Sequence, residues 1–412
     1  MLPLHRPFFI SAAPLLLVLF IDGMGLGIVF PILNGLIFAP NSTFLPANSS
    51  EIMHNLIYGL IVAIFMLCWF FGAAILGDLS DNIGRKKSLQ ICLAGAGVSY
   101  LLSAISVGLD SITLLLLGRV VAGLTSGSQP IAQAAIIDLS TPKHKARNIG
   151  FILLALSLGF IVGPLLGGIL SDNNIVSWFS FATPFYFAAT ISFINFGLLT
   201  RLFQETFITP SSKKFVLNPY HAIHIFISAF KNERVKKLSI VFFMYIFSWS
   251  SFYSFIGIFL LKIYDFTPTQ VSLYMAVMGI GFSIGTGYLV NLLARFFSLL
   301  VIFVYSMVLS AIFIASVLII PSVLFCWLMA VPITAGVSLA YTALLTLFSN
   351  QVDGASQGWV MGITGSIMAL VWALNGIIVG IAAAWSALLP LVIAALGLFI
   401  TAIASYWLRN IR

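Results

Sequence analysis

Charged side chains are scarce in this chain of 412 residues. Asp, Glu, Lys and Arg together make up 7% of it, whereas a soluble domain keeps about a quarter of its residues charged. Because 61% of the residues are hydrophobic, the chain lacks the polar surface that a fully water-exposed protein needs. The composition therefore excludes an ordinary soluble protein and predicts a protein that folds in a lipid bilayer.

Cysteine is also scarce, with three residues in the whole chain. Cys68, Cys92 and Cys326 each lie in an apolar run and show no metal-binding spacing. His221 and His224 are three residues apart but have no third ligand nearby, which favours a wetted helix face over a metal pair. We therefore predict no disulfide framework, no metal site and no cofactor.

What the sequence does contain is long, unbroken apolar runs. A membrane helix needs about 20 apolar residues, whereas a membrane β-barrel shows ~10-residue segments of alternating polarity, so the runs favour helices. The predicted fold class is an all-α membrane protein with twelve transmembrane helices. The predicted spans are 8–38, 54–77, 88–108, 111–138, 148–171, 178–203, 237–262, 269–293, 297–319, 322–348, 357–383 and 386–408.

Basic residues concentrate in alternate loops. With the N-terminus inside, the outer loops hold only Lys262, and Arg119 alone falls within a span. The remaining cations lie on the predicted inner side: Arg6, Arg85, Lys86, Lys87, Lys143, Lys145, Arg147, Arg201, Lys213, Lys214, Lys231, Arg234, Lys236, Lys237, Arg295, Arg409 and Arg412. This asymmetry predicts cytoplasmic termini and contact with lipid headgroups, but no binding of nucleic acid. The expected location is a bacterial inner or plasma membrane.

The longest polar stretch divides the spans into two sets of six. It predicts an N-terminal half (1–203), a cytoplasmic linker (204–236) with a short amphipathic helix, and a C-terminal half (237–412). "GDLSDNIGR" after span 2 aligns with "GYLVNLLAR" after span 8, although Asn291 replaces Asp81 and Ala294 replaces Gly84. Two six-helix pseudo-symmetric halves are typical of transporters that bind substrate between the halves.

Four motifs in the first half resemble the Major Facilitator Superfamily. "GDLSDNIGRKKS" resembles its signature between helices 2 and 3, with Gly77, Asp81, Gly84 and Arg85 in place, and "LLLLGRVVAGLTSGS" resembles its helix 4 motif around Arg119. "FIDGMGLGIVFPIL" resembles helix 1 of drug/proton antiporters, and of tetracycline-efflux proteins in particular. "GFIVGPLLGG" resembles the helix 5 antiporter motif and contains Gly159, Gly163, Pro164, Gly167 and Gly168.

The resemblance implies roles for the polar members of these motifs. It places Asp81 near the N-terminus of helix 11, around 357–360, where a helix dipole favours a carboxylate. It also places Arg85 within reach of Asp138. These contacts would act as a latch that forms while the cytoplasmic side holds one geometry. The alternative, that the turn only ends one helix and begins the next, stays open.

The helix 5 glycines recur on one helix face, which allows close approach of a second backbone. Pro164 removes a backbone hydrogen bond and can bend the helix. The stripe is interpreted either as plain packing or as a seam between the halves, against Gly281 and Gly285 of span 8. In the family this motif accompanies exporters.

Asp22 and Arg119 are the two charges deep within spans. A lone charge at a helix centre costs about 2.5–3.5 kcal/mol, so such residues are expected to be paired or functional. The two lie at similar depth and are open to pairing with each other. The pair is interpreted either as a fixed structural ion pair or as the proton-coupling group that the resemblance implies.

The predicted function is proton-coupled export of a small organic compound that is drug-like or amphipathic, by a chain expected to act as a monomer with protons and lipids as partners. The candidate substrate-binding residues are Tyr58, Gln129, Gln133, Trp249, Tyr253, Tyr341, Trp372 and Asn375. Export of an endogenous metabolite such as a siderophore, proton-coupled uptake and a non-transporting receptor stay open. A membrane enzyme ranks last, because the polar segments contain no catalytic triad, metal cluster or phosphate loop.

Overall fold

The structure is a computed structural model that describes residues 8–39, 44–46, 48–141, 144–206, 220–233, 235–352 and 357–408. Most of the predicted linker, residues 207–219, lies outside the described residues. So do the predicted inner cations Arg6, Lys143, Lys213, Lys214, Arg234, Arg409 and Arg412, and the side chains of Lys145, His221 and Gln357.

The prediction of an all-α membrane protein is confirmed. Of the helices that the described ranges contain, eleven are long and apolar enough to cross a membrane. The first eight helices are α1 (Phe8–Phe38), α2 (Glu51–Ile83), α3 (Arg85–Gly108), α4 (Ile112–Thr125), α5 (Ser128–Asp138), α6 (Lys145–Ile169), α7 (Thr183–Leu202) and α8 (Tyr220–Lys231). The rest are α9 (Lys236–Ile263), α10 (Pro268–Ile284), α11 (Val290–Leu293), α12 (Leu299–Ile319), α13 (Val323–Asn350), α14 (Gln357–Trp385) and α15 (Leu389–Ala404).

Predicted span 4 is not one helix but two, α4 and α5. The hydroxyls of Thr125 and Ser126 donate to carbonyls one turn back, at Val121 and Ala122, which competes with helix continuation. Pro130 has no N–H with which to bond the carbonyl of the residue four positions earlier, Ser126. These local features interrupt the helix within the predicted span. Span 8 is also irregular, since a π-helical segment, Gly285–Leu289, separates α10 from α11.

Side-chain caps fix where several helices begin. Ser111, Ser298 and Ser322 each accept a hydrogen bond from the backbone N–H three residues later, at the starts of α4, α12 and α13. At α10, Thr267 and Gln270 form a reciprocal capping box, with a proline as the first helical residue. Each cap satisfies an N–H group that the helix leaves without a partner.

The described residues divide into two compact units. Unit 1 contains those of Met1–Val29 and Cys68–His221, and unit 2 contains those of Phe30–Leu67 and Ala222–Arg412. The first parts of α1 and the last parts of α2 therefore belong to unit 1, and the remainder of each helix belongs to unit 2. The division into halves at 203 and 237 stays a prediction.

Each unit has its own packing. In unit 1, α3 packs against α4, α5 and α7. Its apolar core is formed by Leu15, Val18, Leu19, Leu76, Leu89, Leu93, Ile131, Ile136 and Leu199, among other residues. In unit 2, α9 packs against α14 and α15, and α13 packs against α10 and α12.

Candidate functional site

The carboxylate of Asp22 lies against the break in predicted span 4. The Oγ atom of Ser128 is 2.8 Å from both carboxylate oxygens and donates its proton to one of them at a time. Ser128 is the first residue of α5, so Asp22 lies at a helix N-terminus, where N–H groups without partners attract a carboxylate. Asp22 is half-buried, so part of its surface remains exposed.

Arg119 lies in the same unit and has a different partner. It is 4% exposed, and its Nη2 donates to the Ser103 Oγ over 3.3 Å. The Tyr100 hydroxyl fits against Gly25 of α1, where the first atom of any side chain would collide with it. The carboxylate is thus held by a serine rather than by the pairing with Arg119 that the sequence left open. The proton-coupling role of the two charges stays a prediction.

The glycine stripe of α6 packs directly on α1 within unit 1. A side chain at Gly159 would come within 2.5 Å of the Phe20 carbonyl oxygen, and one at Gly163 within 2.5 Å of the Met24 carbonyl oxygen. The ring of Pro164 would lie 2.5 Å from a side chain at Gly27 of α1 in the same way. Further along the stripe, Gly167 faces Ile28 and Gly168 is buried.

The glycines of span 8 have a neighbour of their own in unit 2. A side chain at Gly281 would come within 2.6 Å of the Val331 carbonyl oxygen, and one at Gly285 would collide with Ser338 and Ala335 of α13. Each stripe thus packs against the backbone of a helix of its own unit, and the expected seam between the two stripes stays a prediction.

Arg85 joins the turn after α2 to the end of α5. Its Nη1 lies 2.8 Å from Asp81 Oδ1 and donates to Ser80 Oγ over 2.5 Å, and its Nε lies 3.9 Å from Asp138 Oδ2. All four residues belong to unit 1, so these contacts do not by themselves depend on the arrangement of the two units. The gating role stays a prediction, and so does the expected contact of Asp81 with residues 357–360.

Glu205, which the sequence analysis missed, closes the same turn. Its Oε1 accepts from the Arg85 N–H at 2.9 Å and its Oε2 from the Lys86 N–H at 3.0 Å. Gly84 has a φ of +98°, and any side chain there would collide with the Glu205 carboxylate. The one sequence signal for Glu205 is its position as the first acidic residue after span 6.

Substitution of Gly84 is expected to destabilise the protein, because of its positive φ and because of the collision with Glu205. We expect Gly84→Ala to lower the free energy of unfolding by about 1–3 kcal/mol, because alanine rarely adopts this backbone conformation. Gly77→Ala is the matched control, since a side chain at Gly77 meets no atom within 4 Å in the part of the chain that the structure describes. Melting temperatures of the purified proteins check this, and equal losses in the two variants would contradict it. In a Glu205→Ala background the collision is removed. The loss of stability caused by Gly84→Ala should then be smaller, but it should persist because the positive φ remains.

The aligned turn in the second half differs at the same positions. Ala294, in the place of Gly84, has a φ of −64°, which any residue adopts in a helix. Asn291, in the place of Asp81, donates to the carbonyl of Gly287 over 3.2 Å. The backbone conformation that requires glycine is thus present in the first copy and absent from the second.

Three of the predicted substrate residues meet in unit 2. The ring centroid of Tyr253 lies 5.5 Å from that of Trp249 and 5.8 Å from that of Trp372. Phe30 of α1, which was not predicted despite its place in the helix 1 motif, lies 5.2 Å from Tyr253 and 5.9 Å from Trp372. Tyr253 and Trp372 remain partly exposed. We call these four residues the aromatic cluster.

Tyr58 lies apart from the aromatic cluster and is fully buried. Its hydroxyl donates to the carbonyl oxygen of Ser254. Its ring centroid lies 5.7 Å from that of Phe38 and 5.6 Å from that of Phe255. We call these four residues the Tyr58 cluster. Within unit 2 they connect α1 and α2 to α9.

Three further contacts lie at the same end of unit 2. Glu51 at the start of α2 forms an ion pair with Lys262 near the end of α9, and Lys262 Nζ lies 5.6 Å from the ring centroid of Phe38. A side chain at Gly59 of α2 would collide with the carbonyl of Gly376 of α14. The end of α1 and the start of α2 are therefore tied to α9 and α14 within unit 2.

The other predicted substrate residues lie in different places. Asn375 is buried and donates its Nδ2 to the Ser251 hydroxyl over 2.7 Å. Tyr341 lies on α13, and Gln129 and Gln133 lie on α5 in unit 1, with Gln129 exposed and Gln133 half-buried. A role in substrate binding stays a prediction for all eight residues.

Comparison with known sequences identifies tetracycline and quinolone resistance proteins as relatives. The tetracycline resistance protein, class H, of Pasteurella multocida is 34% identical over 192 residues, which are 47% of this chain and 44% of that protein. The match therefore spans less than half of that relative's length. The quinolone resistance protein NorA of Staphylococcus aureus (strain MRSA252) is 24% identical over 313 residues, 76% of this chain and 77% of that protein.

Comparison with solved structures concerns the fold alone, because the identities are low. The human organic anion transporter MFSD10 (TETRAN) has a TM-score of 0.72 and 18% identity, covering 97% of this chain and 100% of that one. A mutant of the nucleoside transporter NupG has a TM-score of 0.75 and 14% identity, covering 97% of this chain and 100% of that one.

The family is established by a sequence profile that matches most of the chain. The profile of the Major Facilitator Superfamily matches residues 15–376 of the 412, from early in α1 to within α14. This range contains all four motifs that carried the resemblance, together with the break between α4 and α5. The chain belongs to the Major Facilitator Superfamily of membrane transporters.

Proposed function

We propose that this chain is a secondary active transporter that exports a small organic compound in exchange for protons. Alternating access would expose the substrate first to one side of the membrane and then to the other. Membership of the Major Facilitator Superfamily supports the transport class, and the similarity to tetracycline and quinolone resistance proteins supports the direction.

The observation that carries the proton-coupling part of the proposal is the environment of Asp22. An acidic group within a membrane helix is costly, and such groups commonly mark a proton or ion pathway. Asp22 has a serine hydroxyl as its hydrogen-bond partner, retains accessible surface, and lies at the break between two helices. A group held in this way gains or loses a proton without the breaking of a strong ion pair.

The aromatic cluster supports an amphipathic or cationic organic substrate. Its rings come from α1, α9 and α14, and its four members carry no charge. Aromatic faces attract organic cations and apolar ring systems, and small-molecule sites are mostly apolar with a few polar groups. We propose Tyr253 and Trp372 as the substrate contacts, because they are the members that keep exposed surface.

The charge asymmetry of the loops gives the proposed orientation. The side where α1 ends and α2 begins is the outer side, so the Tyr58 cluster and the Glu51–Lys262 pair form an outer gate. The Arg85 turn then lies on the cytoplasmic side, where we propose that Asp81, Arg85 and Asp138 control opening. Both termini are cytoplasmic in this orientation.

Transport in inverted membrane vesicles tests the function. With the vesicle interior acidified, ethidium as a cationic aromatic probe and tetracycline as a second probe should accumulate inside, and a protonophore should abolish the accumulation. Vesicles without the protein are the control. Accumulation that does not depend on the pH gradient would contradict proton coupling. Accumulation only in right-side-out vesicles would show uptake instead of export.

Reporter fusions test the orientation. Activity reporters joined at Ser212 in the linker and after Arg412 should both read cytoplasmic, because positive loops are retained on that side. A fusion in the α1–α2 loop at Ser49 is the opposite control and should read external. An external signal at Ser212 or Arg412 would contradict the proposed topology.

A further inference from the structure

Asn34 is a buried polar residue in the region that closes one end of unit 2. It lies on α1 and is 1% exposed, and neither its Oδ1 nor its Nδ2 has a hydrogen-bond partner among the residues that the structure describes. Most buried polar side chains are hydrogen-bonded, so a fully unpartnered amide requires a reason. The apolar packing around Asn34 does not supply that reason.

The surroundings of Asn34 are apolar and tight. One turn earlier on α1, Phe30 contacts Tyr253 within the aromatic cluster, and one turn later Phe38 contacts Tyr58. The amide itself abuts Gly257 of α9, where any side chain would collide with it. Asn34 is thus enclosed between two layers of aromatic contacts at the α1–α9 interface of unit 2.

This enclosure has an energetic consequence for the gate. A buried donor or acceptor without a partner loses its hydrogen bonds to water and gains none in return, which raises the free energy of the state that buries it. Separation of α1 from α9 would return the amide to water. The same side chain therefore destabilises the closed state and leaves the open state unaffected.

We propose that Asn34 is a gating residue whose buried amide keeps the outer gate readily openable. This rests on the proposed function only in identifying this end of unit 2 as a gate. Tyr58, the Glu51–Lys262 pair and the Gly59–Gly376 contact hold the gate shut, and Asn34 offsets part of that stabilisation. An apolar residue at 34 should therefore trap the gate closed.

Cysteine labelling tests the proposal in the full-length protein. Cys68, Cys92 and Cys326 are first replaced by alanine, and Ser254→Cys is introduced as the reporter. Ser254 is 2% exposed and its hydroxyl has no partner within the described ranges, so it reacts only when the gate opens and tolerates the change. A membrane-impermeant maleimide is added on the side where α1 ends and α2 begins.

We expect Asn34→Leu and the smaller Asn34→Ala to slow labelling about tenfold. Both variants remove a buried amide that has no partner among the described residues, and this stabilises the closed state relative to the open one. Thr401→Val is the matched control, since Thr401 is equally buried in unit 2 but its hydroxyl donates to the Gly397 carbonyl oxygen over 2.6 Å. It should label no more slowly than the parent. Asn34→Leu should also raise the melting temperature, and Thr401→Val should not raise it.

Several results would overturn the proposal. Three results would each show that the amide does not oppose closure: labelling of both Asn34 variants at the parent rate, a fall in melting temperature for both, or equal slowing in Thr401→Val. Absence of labelling in the parent would show that this end does not open. Because labelling needs neither substrate nor a pH gradient, failure of the proton-antiport proposal would leave this test intact.

Discussion

Asp22→Asn is expected to abolish export driven by a pH gradient while leaving a folded protein that still binds substrate. Asparagine keeps the size of the side chain and can accept the hydrogen bond from Ser128, but it cannot take up or release a proton. The accumulation of ethidium in acidified inverted vesicles should fall to the level of vesicles without the protein. Binding, measured by a thermal shift with the same probe, should persist because bound ligand stabilises the folded state.

Asp110→Asn is the matched control for this change. Asp110 lies in the turn between α3 and α4 with a φ of +48°, a conformation that asparagine also tolerates. Its replacement should leave pH-driven accumulation unchanged. Proton release on addition of substrate, followed with a pH dye in detergent, gives the decisive comparison. Equal release from the parent and from Asp22→Asn would show that another group carries the proton.

Gly163→Val is expected to prevent stable folding of unit 1. The first atom of the new side chain would lie 2.5 Å from the Met24 carbonyl oxygen and 3.0 Å from its Cα, so the backbones of α1 and α6 would have to separate. Overpacking costs about 1–3 kcal/mol where side chains can adjust, and here the neighbour is backbone, which cannot rotate away. The yield of monodisperse protein and its melting temperature should both fall sharply.

Gly150→Val controls for the intrinsic effect of valine on the same helix. A side chain at Gly150 meets no atom within 4 Å among the described residues, so this variant should fold and melt like the parent. If the two variants lose the same amount of stability, the close approach of α1 and α6 is not what Gly163 provides. Gly167→Val should have an intermediate effect, since its nearest neighbour, the Ile28 carbonyl oxygen, is 3.3 Å away.

The fold was predictable because its main determinant is composition along the chain. Apolar runs of about 20 residues form helices in a bilayer, where every backbone polar group must be bonded within its own segment. The break within span 4 was missed because the signals that cause it are local and weak. Thr125, Ser126 and Pro130 are each compatible with a continuous span when hydropathy alone is read.

The candidate site was predictable in its members but not in their pairing. Asp22 and Arg119 are conspicuous as charges in apolar runs, yet each bonds to a serine that the sequence gives no reason to select. Glu205 escaped notice because its partners are backbone N–H groups 120 and 119 residues away, which leave no side-chain pattern. Tyr58 was grouped with Tyr253 by residue type, although the two differ in burial and in neighbours.

The sequence by itself determined that the chain is helical and spans a membrane, and its motifs identified the superfamily. These properties depend on residue types within single segments, which hydropathy and spacing record directly. Only the tertiary structure decided that the α6 glycines face α1, that α1 and α2 contribute to both units, and that the Asn34 amide is enclosed without a partner among the described residues. Those properties depend on which faces of distant helices meet, and in a bilayer nearly every face is apolar, so the one-dimensional pattern does not distinguish them.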